Sequence, residues 1–305
     1  MKVLLIPDGL DGERFDVAAS RMTGLTRSRV SALIDEGKAR LEGRPVKPSV
    51  KVLGGQMLEV DLSERVRQPK VRPALADGLE VIHEDSDIIV VDKPAGVAAH
   101  PSLGWDGPDV VSHLAAAGYA ISTSGAPERQ GIVQRLDVGT SGLMVVAKSE
   151  HAYTLLKRAF RDRSVDKIYL ALVQGHPDPF FGTIDAPIGR HPGSQWKFAV
   201  TSDGRHSVTH YETIEAAPSA TLLRIHLETG RTHQIRVHMS AIGHPCVGDP
   251  LYGCDPVLAA KLGLDRQWLH ASQLGFIHPG SGEYVEFHSD PPQDLSIAWN
   301  KLRDN

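Results

Sequence analysis

Only two cysteines occur in 305 residues, Cys246 and Cys254. They leave no disulfide framework and no paired Cys-x-x-Cys motif, which fits a reducing cytoplasm. Long apolar runs are missing too. The opening Met1-Lys2-Val3-Leu4-Leu5-Ile6-Pro7 is too short for a signal-peptide core and reads as a first strand, and no stretch approaches the ~20 residues that span a bilayer. An overall positive charge is also lacking: 33 Lys and Arg face 37 Asp and Glu, net −4, which by itself argues against a nucleic-acid partner. The distribution reverses that argument. Residues 1–72 carry 14 basic against 10 acidic side chains, whereas the remainder carries 19 against 27. A basic N-terminal module on an acidic body is the asymmetry of a chain with one phosphate-binding face.

At 41% hydrophobic and 23% charged, the chain has the composition of a globular protein with room for one large and one small domain. Its most informative stretch runs from Gly131 to Gly142, Gly-Ile-Val-Gln-Arg-Leu-Asp-Val-Gly-Thr-Ser-Gly, followed by the apolar Leu143–Ala147. The pattern predicts strand, tight polar loop, and a strand buried on both faces. Arg135 and Asp137, two residues apart, point the same way in extended chain. A surface ion pair is the bland reading. A carboxylate on a Gly-rich loop between buried strands is, however, rigidly framed, as reactive groups usually are.

Before this stretch, residues 14–20 and 26–36 read as two helices, the second capped by Thr26, striped with Val30, Leu33 and Ile34, and closed by Gly37. Short strands follow at 38–41 and 56–62. Residues 63–73, rich in Arg, Lys, Gln and Pro, read as a linker. Strands at 79–83 and 88–91 form a hairpin, 108–117 a short helix, and 121–130 a loop. Beyond the central stretch come an amphipathic helix at 150–163, a strand at 166–173 containing Lys167 and Tyr169, and a strand at 221–227. Gly230 breaks that strand, and Thr232 is placed to cap a helix whose buried face is Ile235, Met239 and Ile242. Residues 268–272 read as a helical turn before two closing strands. Arg231 then lies just outside a helix N-terminus, where an anion is favoured, either Asp137 or a phosphate. The histidines 226, 233, 238 and 244 match no standard zinc spacing.

The Arg-Leu-Asp-x-x-Thr-Ser-Gly loop resembles the catalytic motif of pseudouridine synthases, specifically the RluA/RluD branch that modifies large-subunit ribosomal RNA. The Lys-Pro-x-Gly turn at 93–96, the Lys-x-Tyr-x-Ala-Leu-Val strand at 167–173 and the Gly-Arg-Thr-His-Gln-Ile-Arg segment at 230–236 resemble further motifs of that family in the same order. Residues 26–43 resemble the S4 RNA-binding domain that precedes such catalytic domains. Gln134 and Val138-Gly139 depart from the family's usual His and Lys-Asp.

The resemblance implies an α+β fold: a mixed, mostly antiparallel central sheet with flanking helices, preceded by a small α+β S4-like domain. It places the S4-like domain at 1–65, a linker at 66–75 and the catalytic domain at 76–305. It implies that Asp137 is the catalytic residue, paired with Arg231, that Tyr169 stacks on the target base, that Arg135 and Thr140 contact substrate, and that Arg27 and Arg29 face RNA phosphates. The expected enzyme is a cytoplasmic monomer that isomerises uridines of 23S ribosomal RNA without cofactor or metal. Two other classes compete. A binding-only RNA chaperone would have lost Asp137, Tyr169 or Arg231, and a hydrolytic glycosidase would need a second carboxyl near Asp137 to activate water.

Overall fold

The computed structural model describes residues 2–61, 71–102, 104–194 and 196–304. The chain divides into two compact units, residues 1–68 and 69–305. The first contains β1 (Lys2–Leu5), α1 (Phe15–Thr23), α2 (Arg27–Asp35), β2 (Ala39–Leu41), β3 (Arg44–Pro45) and β4 (Met57–Val60), with sheet order β1-β4-β2-β3. Its core is Phe15, Ala18 and Ala19 of α1 against Val30 and Leu33 of α2 and Leu58 and Val60 of β4. Thr26 caps α2 by accepting the Arg29 amide at 3.3 Å, and Gly37 (φ 70°) supplies the left-handed residue that ends it. Most of the expected 63–73 linker lies outside the described residues.

The second unit contains β5 (Glu80–Glu84), β6 (Ile88–Lys93), α3 (Val110–Ala116), β7 (Ser141–Ala147), α4 (Glu150–Asp162), β8 (Asp166–Gln174), β9 (Phe181–Asp185), β10 (Ile188–Arg190), β11 (Phe198–Val200), β12 (Val208–Ala217), β13 (Ala220–Leu227), α5 (Gln234–Ala241), α6 (Pro256–Leu262), β14 (Leu269–Ile277), β15 (Tyr284–His288) and α7 (Gln293–Arg303). A nine-stranded sheet runs β5-β6-β7-β14-β8-β13-β12-β9, with β15 added on β14. Among the described strands of this sheet, only β7 and β14 pair in parallel. The architecture is therefore the expected α+β, mostly antiparallel one. Residue 132 forms a single bridge to Val146 rather than a strand. Residues 269–272 are strand rather than helical turn: β14 lies between β7 and β8, and the ladder overrides local propensity. β7 is buried at every position, as its continuous apolar run requires. Gly142, at φ 114°, is required where β7 meets β14, since a Cβ would lie 2.3 Å from the Ala271 carbonyl oxygen.

The β5–β6 hairpin is clipped to the turn after β14 by Asp85, whose Oδ2 receives Nε2 of His83 and of His278, both at 2.9 Å. Its Oδ1 accepts the amides of Asp87 and Ile88. His278 Nδ1 accepts two backbone amides, so its proton sits on Nε2 facing Asp85; that tautomer suits a hydrogen-bonded clip rather than metal ligation. Burial opposes ionisation of Asp85, but the His83 contact and the backbone amides outweigh it and hold the carboxyl well below the usual range. A depressed folded-state pKa gives stability that is present above the unfolded value of about 3.9 and lost as pH falls below it. Accordingly Asp85→Ala is expected to cost about 1–3 kcal/mol in urea unfolding at pH 7. The loss should shrink when the titration is repeated near pH 3, and an equal loss at both pH values would refute the clip.

Candidate active site

Asp137 lies at the head of a turn whose carbonyl accepts the Thr140 amide at 3.0 Å, with Val138 and Gly139 between. The Gly96 amide and Nζ of Lys93 donate to the Val138 carbonyl, and Arg266 Nη1 donates to the Gly139 carbonyl. A Cβ at Gly139 would meet Gln267 Oε1 at 2.7 Å, and Gln267 donates to Thr140 Oγ1 at 3.0 Å. The loop is thus pinned from behind. Lys93 is fully buried and spreads its three donors over the carbonyls of Pro94, Val97 and Val138. Among the described residues it pairs with no carboxylate, and burial drives its pKa down to about 7 against the pull of Asp137.

The carboxylate itself meets Arg236. Nη1 donates to Asp137 Oδ2 at 3.1 Å, while Nε and Nη2 clasp Asp249 at 2.6 and 2.9 Å. The guanidinium stacks 5.0 Å from the Tyr252 ring. Burial would lower the pKa of Arg236, but Asp249 and then Asp137 raise it, so the cation is permanent. His233 Nε2 stands 3.8 Å from the same Oδ2. The Tyr252 hydroxyl accepts the Phe198 amide and donates to His233 Nδ1 at 2.7 Å, which leaves the His233 proton on Nε2, aimed at Asp137. Burial lowers the His233 pKa, partly offset by Asp137, so the ring acts as a neutral donor. Its backbone is left-handed (φ 57°), an uncommon state that turns the ring from the α5 N-terminus into the cleft.

Asp137, His233 and Arg236 line a cleft of about 310 Å³ together with Arg135, Lys167, Tyr169 and Arg231. Tyr169 is 7% exposed, and burial followed by the charge of Asp137 raises its pKa, keeping the hydroxyl protonated. The expected Arg231–Asp137 pair is absent: Arg231 Nε donates to the His206 carbonyl at 3.2 Å, and Arg236 occupies its place beside the carboxylate. The cause is the helix start. Thr232 is not the cap; α5 begins at Gln234, whose Oε1 accepts the Arg231 amide, so Arg231 stays outside while Arg236 sits on the first turn. Residues 234–239 are all buried, against the one-sided stripe expected. Thr140 is 2% exposed with its hydroxyl engaged by Gln267, the position of a loop brace. In the first unit, Arg27 binds Asp16 at 2.8 Å and Arg29 binds Glu36 at 3.1 Å.

A second carboxylate does approach, on the far edge of the Arg236 guanidinium. Asp249 is fully buried, has both oxygens on Arg236, and accepts the Leu251 amide, so it has no route to a water in the cleft. Among the described residues the cleft therefore offers one carboxylate held by a cation and the aromatic face of Tyr169, with no second acid positioned for hydrolysis.

Known proteins share this arrangement's frame. Residues 87–241 match the family described as RNA pseudouridylate synthase. An uncharacterized RNA pseudouridine synthase of Mycobacterium tuberculosis is 58% identical over 298 residues, covering 98% of this chain and 97% of the relative. Ribosomal large subunit pseudouridine synthase D of Zymomonas mobilis is 41% identical, covering 95% and 94%. Among solved structures, human RNA pseudouridylate synthase domain containing 1 is similar with a TM-score of 0.58 and 30% identity, covering 74% of this chain and 89% of that one. The chain belongs to the RNA pseudouridylate synthase family, in its RluA/RluD branch, and is an isomerase that converts uridine in RNA to pseudouridine.

Proposed function

We propose that the substrate is large-subunit ribosomal RNA and that Asp137 is the catalytic carboxylate acting on a uridine flipped out of its stack. One observation carries the reading: a single reactive carboxylate, fixed by Arg236 on a pinned loop, faces a cleft walled by the Tyr169 ring. The isomerisation breaks the C1′–N1 bond, turns the base and joins C5 to C1′, so no atom is gained and water must be kept out. Positive charge develops on the sugar as the bond breaks, and a carboxylate beneath the ring stabilises it. Flipping costs a few kcal/mol; the Tyr169 ring offers the extruded base a stacking face, and exposed Arg135 beside Asp137 suits the vacated stack. The enzyme works in the cytoplasm as a monomer. Two measurements test the reading: release of tritium from RNA labelled at uridine C5, and pseudouridine mapping of ribosomal RNA from a deletion strain. An intact modification pattern in that strain, with no release from 23S transcripts, would overturn the substrate.

Tyr169→Phe should leave RNA affinity within about twofold, since the ring remains. Tyr169→Ala should weaken it by about 1–3 kcal/mol, the usual worth of one stacked base. A large affinity loss in the Phe variant would show that the hydroxyl, not the face, binds.

Residues 1–68 act as an S4-like RNA anchor through the α2 face that carries Arg27 and Arg29. The unit has its own core and is net basic, 12 Lys and Arg against 10 Asp and Glu, on a chain that is net acidic. Asp16 is nearly buried and held down to about 2, chiefly by Arg14, with burial opposing and Arg27 assisting, yet the Arg27 side chain stays 58% exposed. Deleting the unit is expected to weaken RNA binding and flatten its dependence on salt. An unchanged salt slope would locate the anchor elsewhere.

A further inference from the structure

Two residues before Tyr169 on β8, and on the same face, Lys167 lines the cleft at 8% exposure. Of its three donors, one reaches the Glu228 carbonyl at a long 3.4 Å, and no carboxylate pairs with it among the described residues. Lys93, fully buried, has three carbonyls; Lys167 has two donors left over. Two further cations converge here. Arg163 reaches Glu228 Oε2 at 3.6 Å and His206 Nδ1 at 3.2 Å, and Arg231 donates to the carbonyl of the same His206. The neighbouring carboxylate, Glu228, is already shared with His210. Burial first, then Arg163 and Arg231, push Lys167 down to about 8. The carboxylate chemistry makes no use of these charges, because Asp137 is served by Arg236 and His233.

We propose that Lys167, with Arg163 and Arg231, forms a phosphate-binding subsite for a backbone phosphodiester of the flipped nucleotide. The inference rests on the proposed flipping of uridine against Tyr169. Alternate residues of a strand stand about 6.6–6.8 Å apart on one face, so a base stacked on Tyr169 has Lys167 as its neighbour along the strand. The non-bridging oxygens of a phosphodiester accept from the two remaining ammonium donors and from the Nη groups of Arg231, while Arg163, held by Glu228 and His206, adds its charge from behind. Asp166 and the Glu228 carboxylate relieve this crowding of like charges only in part, since Lys167 remains pushed down, and a bound anion relieves it further.

Lys167→Met keeps the volume and removes the charge. In the full chain, the thermal midpoint of the variant is expected to rise by about 2–4 °C. With an unmodified 23S transcript labelled at uridine C5, its kcat/KM should fall tenfold to a hundredfold, mostly through KM. The slope of log affinity against log salt should drop by about 0.7–0.9, the signature of one lost phosphate contact. Lys167→Arg should restore the slope. A lower midpoint with an unchanged slope would mark a merely structural lysine and overturn the subsite, as would unchanged kcat/KM. If the wild type releases no tritium from this RNA, the ribosomal substrate is wrong, and the salt slope on the same transcript still decides the subsite.

Discussion

Asp137→Asn leaves a folded protein with no measurable turnover: the expected loss is at least about a thousandfold in kcat, with the unfolding free energy changed by less than about 0.5 kcal/mol. The amide is isosteric, its oxygen still accepts from Arg236 Nη1, and the turn that carries it is held by backbone contacts to Thr140, Gly96 and Lys93 that the substitution does not touch. What disappears is the charge beneath the sugar, which is the part that stabilises a developing cation. RNA affinity should remain near wild type, because the loss belongs to the reacting state rather than to binding. Tritium release and RNA binding measured on the same preparation separate the two. A variant keeping even a tenth of wild-type turnover would remove Asp137 from the chemistry.

Much of the scaffold behind this residue was legible from residue order alone. The continuous apolar run Leu143–Ala147 marked a strand buried on both faces, and the Thr26 cap and Gly37 stop bounded α2 closely. The family motifs marked Asp137 and Tyr169, which the structure brings into one cleft. The error at Arg231 has a physical origin. A helix capped by Thr232 puts Arg231 just outside its N-terminus with Ile235, Met239 and Ile242 as its buried face; the real start at Gln234 leaves Arg231 further out and buries residues 234–239 on every side. An enclosed arginine needs a buried acid, and Asp249 lies thirteen residues on, across a turn that no local periodicity announces. The left-handed backbone of His233 was equally invisible, since nothing about a histidine between Thr232 and Gln234 signals a positive φ. The roles of Lys93 and Lys167 depended on which carbonyls come near, a property of tertiary packing rather than of the strands that hold them.

Arg236 has two duties, and a paired substitution separates them. Arg236→Met should destabilise the protein by about 3–5 kcal/mol, because it strands Asp249, whose side chain is completely buried, without a cation. Loss of activity in that variant would say little about chemistry. Arg236→Met combined with Asp249→Leu removes both charges, and replacing a buried pair by apolar residues of similar volume is often close to neutral for stability. The double variant is therefore expected to recover about 2 kcal/mol or more of the loss in urea unfolding. Its turnover should nevertheless stay at least about a hundredfold below wild type, since Asp137 still lacks the Nη1 donor 3.1 Å from its Oδ2 and loses with it the contact that fixes its rotamer. His233, at 3.8 Å and neutral, is too far and too weak a donor to take over. The decisive comparison is the double variant's stability against its kcat: a stable protein turning over near the wild-type rate would mean that Arg236 only balances Asp249 and that the carboxylate is positioned by its loop alone.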